Sequence, residues 1–408
     1  MPTPKLRFKG YSSEWPESKL EDLGTFKKGK YLSKSDLSDS GVPCILYGQL
    51  YTIYNEIVRQ VESVTNADIK LLYLSKGGEI LFPCSDVTPT GIACASYLPY
   101  QGVALGGDIH VFNSKCNVSG ALLSYILNSV AKQEILKIAQ GSTVFHTSAS
   151  DLKKISVNLP STIEEQHKIA EFLSTVDEKV EVLEKKLEAL NSLKKGFMQK
   201  IFSQELRFKD NSGCNFNEPW IGKKLNELVS FKKGKILSKS HLSDNGVPCV
   251  LYGQLYTSYK EVISTVISKT DYNSKGLVYS SGGEVLMPCS GETAEDISRA
   301  SYLPLSGVAL GGDLHILYPS KEISGNILSY ILNTVCKRHI ARIAQGKTVV
   351  HTSSDSLGKI EIFFPKNLEE QRKIAEFLSA FDEKIEAAKR QVEAMKQVKK
   401  GLLQQMFV

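Results

Sequence analysis

Two stretches of the chain carry the pattern of one long helix each. From Thr162 to Phe202 there is a single Gly and no Pro, and apolar residues recur at alternating steps of four and three: Ile169, Leu173, Val176, Val180, Leu183, Leu187 and Leu190. Near the end the rhythm returns with Ile374, Leu378, Phe381, Ile385, Ala388, Val392 and Met395. Sustained heptads make a narrow apolar seam that needs a partner helix, whereas a helix packed only on its own domain shows a wider face and stops sooner. Ser161 or Thr162 supplies a cap, and Glu164 and Glu165 stand in the first turn, where carboxylates favour a helix start. At about 1.5 Å per residue, forty residues span roughly 60 Å.

Ahead of each helical stretch the pattern is different. From Trp15 to Pro160, short β-rich apolar runs such as Cys44 to Tyr47 and Glu79 to Phe82 are separated by Gly, Pro and Ser clusters, with one helix expected over Gly120 to Ala139. This is the pattern of a globular α+β domain.

Self-comparison shows the same unit twice. F-K-K-G-K at Phe26 returns at Phe231, G-V-P-C at Gly41 returns at Gly246, and K-I-A-E-F-L-S at Lys168 returns at Lys373, always 205 positions later. From Trp15 against Trp220 to the end, 102 of 189 aligned positions are identical without a gap. The period is far longer than that of a solenoid repeat. The obvious partner for each long helix is therefore the other. The loop-rich segment of about 15 residues between Ser203 and Trp220 offers no long return path for parallel pairing. The expected architecture is α+β: two similar α/β globular domains separated by two long helices in an antiparallel coiled coil, pseudo-two-fold symmetric like a pair of calipers. The expected boundaries are 1–160, 161–203, 204–365 and 366–408.

Composition narrows the class without naming it. The chain has 408 residues, 42% apolar and 23% charged, with a formal charge of +6. These proportions exclude a disordered chain, a collagen and a disulfide miniprotein. The charge permits a polyanionic partner and does not require one. No stretch approaches a membrane span, and the first residues lack the apolar core of a signal peptide, so a cytoplasmic protein without membrane contact is expected. The eight Cys contain no C-x-x-C pair, which leaves reduced, mostly buried thiols and no metal site.

Signals of a catalytic centre are sparse. Gly24 to Lys30 spells G-x-x-x-x-G-K, but Tyr31 follows where a P-loop needs Ser or Thr, and Val229 replaces the first Gly in the second copy. Asp108 with His110, and Asp313 with His315, could share one face of a strand as metal ligands, or belong to a hydrogen-bonded turn after G-G-D. No zinc-protease, nucleophile-elbow or dinucleotide motif is present. Binding features are better developed. Lys27, Lys28, Lys30 and Lys34 form a basic cluster on a Gly-containing turn, repeated by Lys232, Lys233, Lys235 and Lys239. Two such clusters on a pseudo-symmetric frame suit the two-fold-related phosphates of a duplex. Loops with Ser85, Thr88 and Thr90, and with Ser290, Thr293 and Arg299, carry groups able to reach base edges. A second pair of loops adds Gln140, Ser142, Thr143 and His146 in the first copy, and Gln345, Lys347, Thr348 and His351 in the second.

The assembled pattern resembles the specificity subunit of type I restriction-modification systems over essentially the whole chain. The carriers are the G-G-E, P-C-S, S-Y-L-P and G-G-D series in each globular unit, and the runs at Leu159 to Lys179 and Phe364 to Lys384 that share P-x-x-x-E-E-Q-x-x-I-A-x-x-L-x-x-x-D-x-K. The resemblance implies that Trp15 to about Leu159, and Trp220 to about Phe364, are target recognition domains, each reading one half of an interrupted double-stranded DNA target. It implies that the long helices space the half-sites and dock two methyltransferase subunits, which bind S-adenosylmethionine and methylate adenine N6. Separate restriction and translocase subunits would use ATP and Mg. This chain itself would be non-catalytic. Glu164, Gln166, Glu369 and Gln371 are the candidate partner contacts.

One departure carries its own expectation. Recognition domains of the family commonly differ strongly, whereas here they are about half identical, so the target is expected to be an interrupted near-palindrome. The copies diverge most at Asn55 to Ile69 against Lys260 to Ser274, and at Asp86 to Cys94 against Gly291 to Arg299. Two other readings fit parts of the pattern. A stand-alone DNA-binding architectural protein would purify without methyltransferase chains, and a single-chain nuclease using Asp108 and His110 would nick DNA alone with a metal.

Overall fold

A computed structural model describes residues 4–141, 143–272, 275–346 and 349–407. The chain divides into two compact units, Met1–Lys185 with Arg390–Val408, and Lys186–Lys389. Each unit thus holds one globular domain, the start of the long helix that follows it, and the end of the other long helix.

In the first unit a four-stranded antiparallel sheet runs in the order Gly24–Lys28, Ile109–Ser114, Glu79–Pro83, Ser96–Leu98. Its central strand Glu79–Pro83 is buried throughout, and the alternation of a strand splits its side chains between two cores. Ile80 and Phe82 pack with Phe112 and Tyr125 on the helical side, while Leu81 packs with Val111, Ile45 and Leu105 against a second sheet. That second sheet joins Leu37–Ser38, Ser63–Thr65, Val42–Ile45, Gln101–Leu105 and Leu74–Lys76, with one parallel pairing between Val42–Ile45 and Gln101–Leu105.

The second unit repeats this plan. Its central sheet orders Val229–Lys233, Leu314–Pro319, Glu284–Pro288 and Ser301–Leu303, with Val285 and Met287 on one side and Leu286 on the other. Its second sheet has four strands, because the counterpart of Leu37–Ser38 is reduced to a single bridge between Ser243 and Lys269.

The helix expected over Gly120 to Ala139 is instead two, Gly120–Asn128 and Lys132–Ile138. Asn128 ends the first by turning its amide to the backbone of Ala95, and Ser129 leaves helical geometry with φ −115 and ψ −96. Asn333 does the same at Ala300 in the second unit.

The long helices run over Ile163–Phe202 and Leu368–Met406. Their heptad residues are buried or half-buried, from Ile169 and Leu173 to Ile385 and Ala388. Within each unit the pairing is antiparallel. In the first, Asp177 meets Lys399 at 2.7 Å and Glu184 meets Lys396 at 2.6 Å. In the second, Lys194 meets Asp382 at 2.6 Å, and Phe197 meets Phe377 edge to face and packs against Phe381.

Each unit is completed by the other repeat. Met406 and Phe407 enter the core of the first around Trp15 and Tyr125, while Met198 and Ile201 enter the core of the second around Trp220 and Tyr330. Two polar clamps, repeat-equivalent residue for residue, reinforce this. Lys399 bonds Glu56 and Asp177, and Tyr125 donates its hydroxyl to Asp177 at 2.6 Å. Lys194, 8% exposed, bonds Glu261 and Asp382, and Tyr330 donates to Asp382 at 2.6 Å.

Candidate nucleic-acid interface

The sheet topology gathers the candidate loops at one end of each central sheet. Lys28 ends the edge strand Gly24–Lys28 opposite His110, which in turn lies opposite Phe82. The turns beyond these positions are stitched through the backbone: Gly29 N–H donates to Ile109 C=O at 3.0 Å, Cys84 N–H to Asp108 C=O at 2.9 Å, and Thr147 N–H to Cys84 C=O at 3.1 Å. Strand Ser85–Asp86 then pairs with Phe145–His146, joining the two loops that carry base-reading candidates. In the second unit Ser290–Gly291 pairs with Val350–His351, with Cys289 bonded to Asp313 and Thr352 to Cys289.

All eight candidate lysines, Lys27, Lys28, Lys30, Lys34, Lys232, Lys233, Lys235 and Lys239, are exposed. Lys28 lies 3.8 Å from Asp108, a weak surface pair, and Lys232 lies over the ring of Tyr318. Gln140, Thr143 and His146 are exposed, as are Gln345 and His351, and each loop is closed as a small hairpin by Gln140 with His146 or Gln345 with His351. Ser142, Lys347 and Thr348 lie outside the described residues.

The Ser and Thr candidates behave differently from the lysines. Ser290 is buried and Ser85 half-buried, so Ser290 does not fit a base-reading role. Thr88 accepts from Gly91 N–H and donates to Asp86, and Thr293 accepts from Asp296 N–H. These hydroxyls cap the short helices Pro89–Ile92 and Ala294–Ile297, so they fix the loops' shape. Thr90 remains exposed. Arg299, half-buried, lines a cleft with Lys194, Lys195 and Lys260, apart from the hairpin residues.

The Asp-x-His alternatives resolve to a hydrogen-bonded turn. His110 is buried with its Nε2 at 3.0 Å from Thr147 C=O, and His315 at 3.1 Å from Thr352 C=O. Burial pushes both imidazoles below the ordinary histidine range, against the pull of those carbonyls. Among the described residues no group of three or more His, Cys, Asp or Glu is placed to hold a metal ion.

Two of the partner candidates need correcting. Gln166 and Gln371 are buried and fully engaged within their own units. Gln166 accepts from Ser119 N–H at 2.8 Å and donates to Pro160 C=O and Asn117 C=O. Gln371 accepts from Ser324 N–H and donates to Pro365 C=O and Glu322 C=O. They tie each long helix to the domain before it and leave no side-chain group for another protein. Glu164 is exposed, and Glu369 is half-buried beside Lys373 at 3.5 Å.

A further tie is absent from the sequence reading. Arg7 grips the fully buried Glu165 through two hydrogen bonds, at 2.6 and 2.8 Å, and Arg207 grips Glu370 in the same way. The signal was L-R-F-K at Leu6 and again at Leu206, a shift of 200 that the gapless register of 205 passes over.

Comparison with known proteins agrees with this plan. The family model described as "Type I restriction modification DNA specificity domain" matches residues 12–192 and again 217–396. The type I restriction enzyme MjaVIII specificity subunit of Methanocaldococcus jannaschii is 28% identical over 288 residues, 67% of this chain and 66% of the relative, just under two thirds of its length. A putative type I specificity subunit of Mycoplasma genitalium is 24% identical over 297 residues, 69% of each. The crystal structure of a type I restriction-modification S subunit from M. genitalium aligns with 100% of this chain and 99% of its own, at a TM-score of 0.65 and 18% identity, which is a likeness of fold. No described helix is long and apolar enough to cross a membrane. With two copies of the family's domain covering most of its length, the chain belongs to the type I restriction-modification DNA specificity family.

Proposed function

We propose that the chain is the DNA-reading subunit of a type I restriction-modification assembly, and that each unit reads one half of an interrupted, near-palindromic duplex. The carrying observation is that two repeats with 102 of 189 positions identical present the same exposed lysines at the same end of the same sheet. Lysines on that edge neutralise phosphates and set position, while the loops closed by Gln140 with His146 and by Gln345 with His351 meet base edges. The chain acts without a bond-making centre of its own. Its partners are two methyltransferase subunits that use S-adenosylmethionine on adenine N6, and restriction and translocase subunits that use ATP and Mg. Exposed Glu164 and half-buried Glu369 remain as the partner contacts, one at the start of each long helix.

Methylome sequencing of cells that express the chain with its methyltransferase tests this reading. The expected motif has two closely similar halves on opposite strands around a gap of fixed length. Two unrelated halves, or no motif that depends on this chain, would overturn it.

A further inference from the structure

Between Lys27 and Ser35 the two repeats are identical except at one position: K-K-G-K, then Tyr31 or Ile236, then L-S-K-S. That position has φ +45 in the first repeat and +58 in the second, the left-handed region that side chains with a Cβ seldom occupy and β-branched ones least. In the second repeat Leu237 N–H closes back on Lys235 C=O at 2.6 Å, so Ile236 sits at the apex of a three-residue turn. The turn is held on both sides. A Cβ at Gly29 or Gly234 would run into the carbonyl oxygen of Gly106 or Gly311, and the following Leu32 and Leu237 are buried.

Folding alone would favour Gly or Asn at such a position. Instead both repeats keep a large apolar side chain there and leave it in solvent, Tyr31 79% and Ile236 50% exposed. Four exposed lysines lie within four residues of each one along the chain. Strain retained under an exposed apolar group calls for a ligand with an apolar face, and the lysines call for one with phosphates. A nucleobase flanked by its own backbone offers both, through ring stacking, contact with a thymine methyl, or an apolar wedge at a base step.

We propose that Tyr31 and Ile236 are base-contacting, specificity-determining residues, each held out by its strained turn against a base of one half-site. This rests on the DNA-reading function. Because the turns differ nowhere else, the exchange of Tyr for Ile makes the two half-sites unequal at the bases they touch.

The test uses the full chain and a duplex carrying the methylated motif, with 2-aminopurine placed in turn at each base of both halves. Tyr31→Gly and Ile236→Gly should fold with thermal midpoints equal to or above the parent, since Gly accepts the turn. Each should bind the duplex about tenfold or more weakly and lose the fluorescence response at one step of one half. Tyr31→Ile should move the base preference of the first half toward that of the second. Parental affinity and fluorescence in both Gly variants would overturn the proposal, as would weakened assembly with methyltransferase subunits while duplex binding is unchanged. Failure of the parent chain to bind the motif duplex at all would instead remove the DNA-reading function, and this inference with it.

Discussion

The ammonium of Lys399, near the end of the chain, lies 2.7 Å from the carboxylate of Asp177 in the middle of the first long helix, and Glu56 of the globular domain grips the same ammonium at 2.9 Å. The equivalent Lys194 stands between Asp382 and Glu261. Each clamp joins three segments: a domain loop, the helix that follows that domain, and the tail of the other repeat's helix. Removing the lysine leaves two poorly solvated carboxylates without a counter-ion. Lys399→Met is expected to destabilise the first unit by about 3–5 kcal/mol, and Lys194→Met the second by a similar amount. Urea titration, followed by hydrogen exchange to assign the loss to one unit, measures this. Adding Glu56→Gln and Asp177→Asn to Lys399→Met should recover much of the loss, which separates a stranded charge from lost packing.

The same clamp gives a pH dependence. Burial pulls the Lys399 ammonium down, but Glu56 and Asp177 together outweigh it and its pKa is raised. A base whose pKa is higher in the folded state adds stability that is complete below the ordinary lysine value of about 10.4 and disappears as pH climbs through the folded value. The difference in thermal midpoint between the parent and Lys399→Met should therefore be largest near neutrality and shrink as pH rises above the ordinary lysine value of about 10.4. A difference that stays constant over that rise would show that the ammonium's charge is not what stabilises the unit.

Gln166 and Gln371 are expected to act in stability and not in assembly. Gln166→Ala strands the buried Ser119 N–H that opens the helix Gly120–Asn128, at a cost of about 1–3 kcal/mol. Glu164→Ala, at an exposed position, should change stability by no more than about 0.5 kcal/mol. Denaturation midpoints measure both, and pull-down with a methyltransferase subunit distinguishes the two roles: Glu164 should matter there, and Gln166 only as far as the fold is lost.

Neutralising the edge lysines should weaken duplex binding without changing what is read. For each lysine that contacts a phosphate, a change to Gln is expected to reduce the slope of log affinity against log salt by about 0.9. Lys27→Gln with Lys30→Gln in the first unit should thus lower it by roughly twice that, equally on motif and non-motif duplexes. A loss confined to the motif duplex would make these lysines base readers.

Much of the fold was legible because its signals are periodic or repeated. The heptads from Ile169 to Leu190 needed a partner, and the constant shift of 205 supplied one. The long helices run over Ile163–Phe202 and Leu368–Met406, along the stretches that carry these heptads. The break at Asn128 was not legible, since the apolar pattern runs straight through it and only the distant backbone of Ala95 gives the Asn side chain a reason to turn. Gln166 illustrates the same limit from the other side: a polar residue near a helix start reads as surface until the domain folds over it.

The chain's order of residues by itself determined two copies of one α+β unit, two long helices that must find each other, and lysines in matching places. Those depend on local periodicity and on comparison of the chain with itself. Tertiary structure decided that each unit is finished by the other repeat's helix end, that Ser290 and Gln166 are inside, and that Tyr31 and Ile236 stand out on strained turns. Burial, ion pairing across 343 residues between Glu56 and Lys399, and a backbone held at positive φ are set by which segments meet, and no local pattern records that meeting.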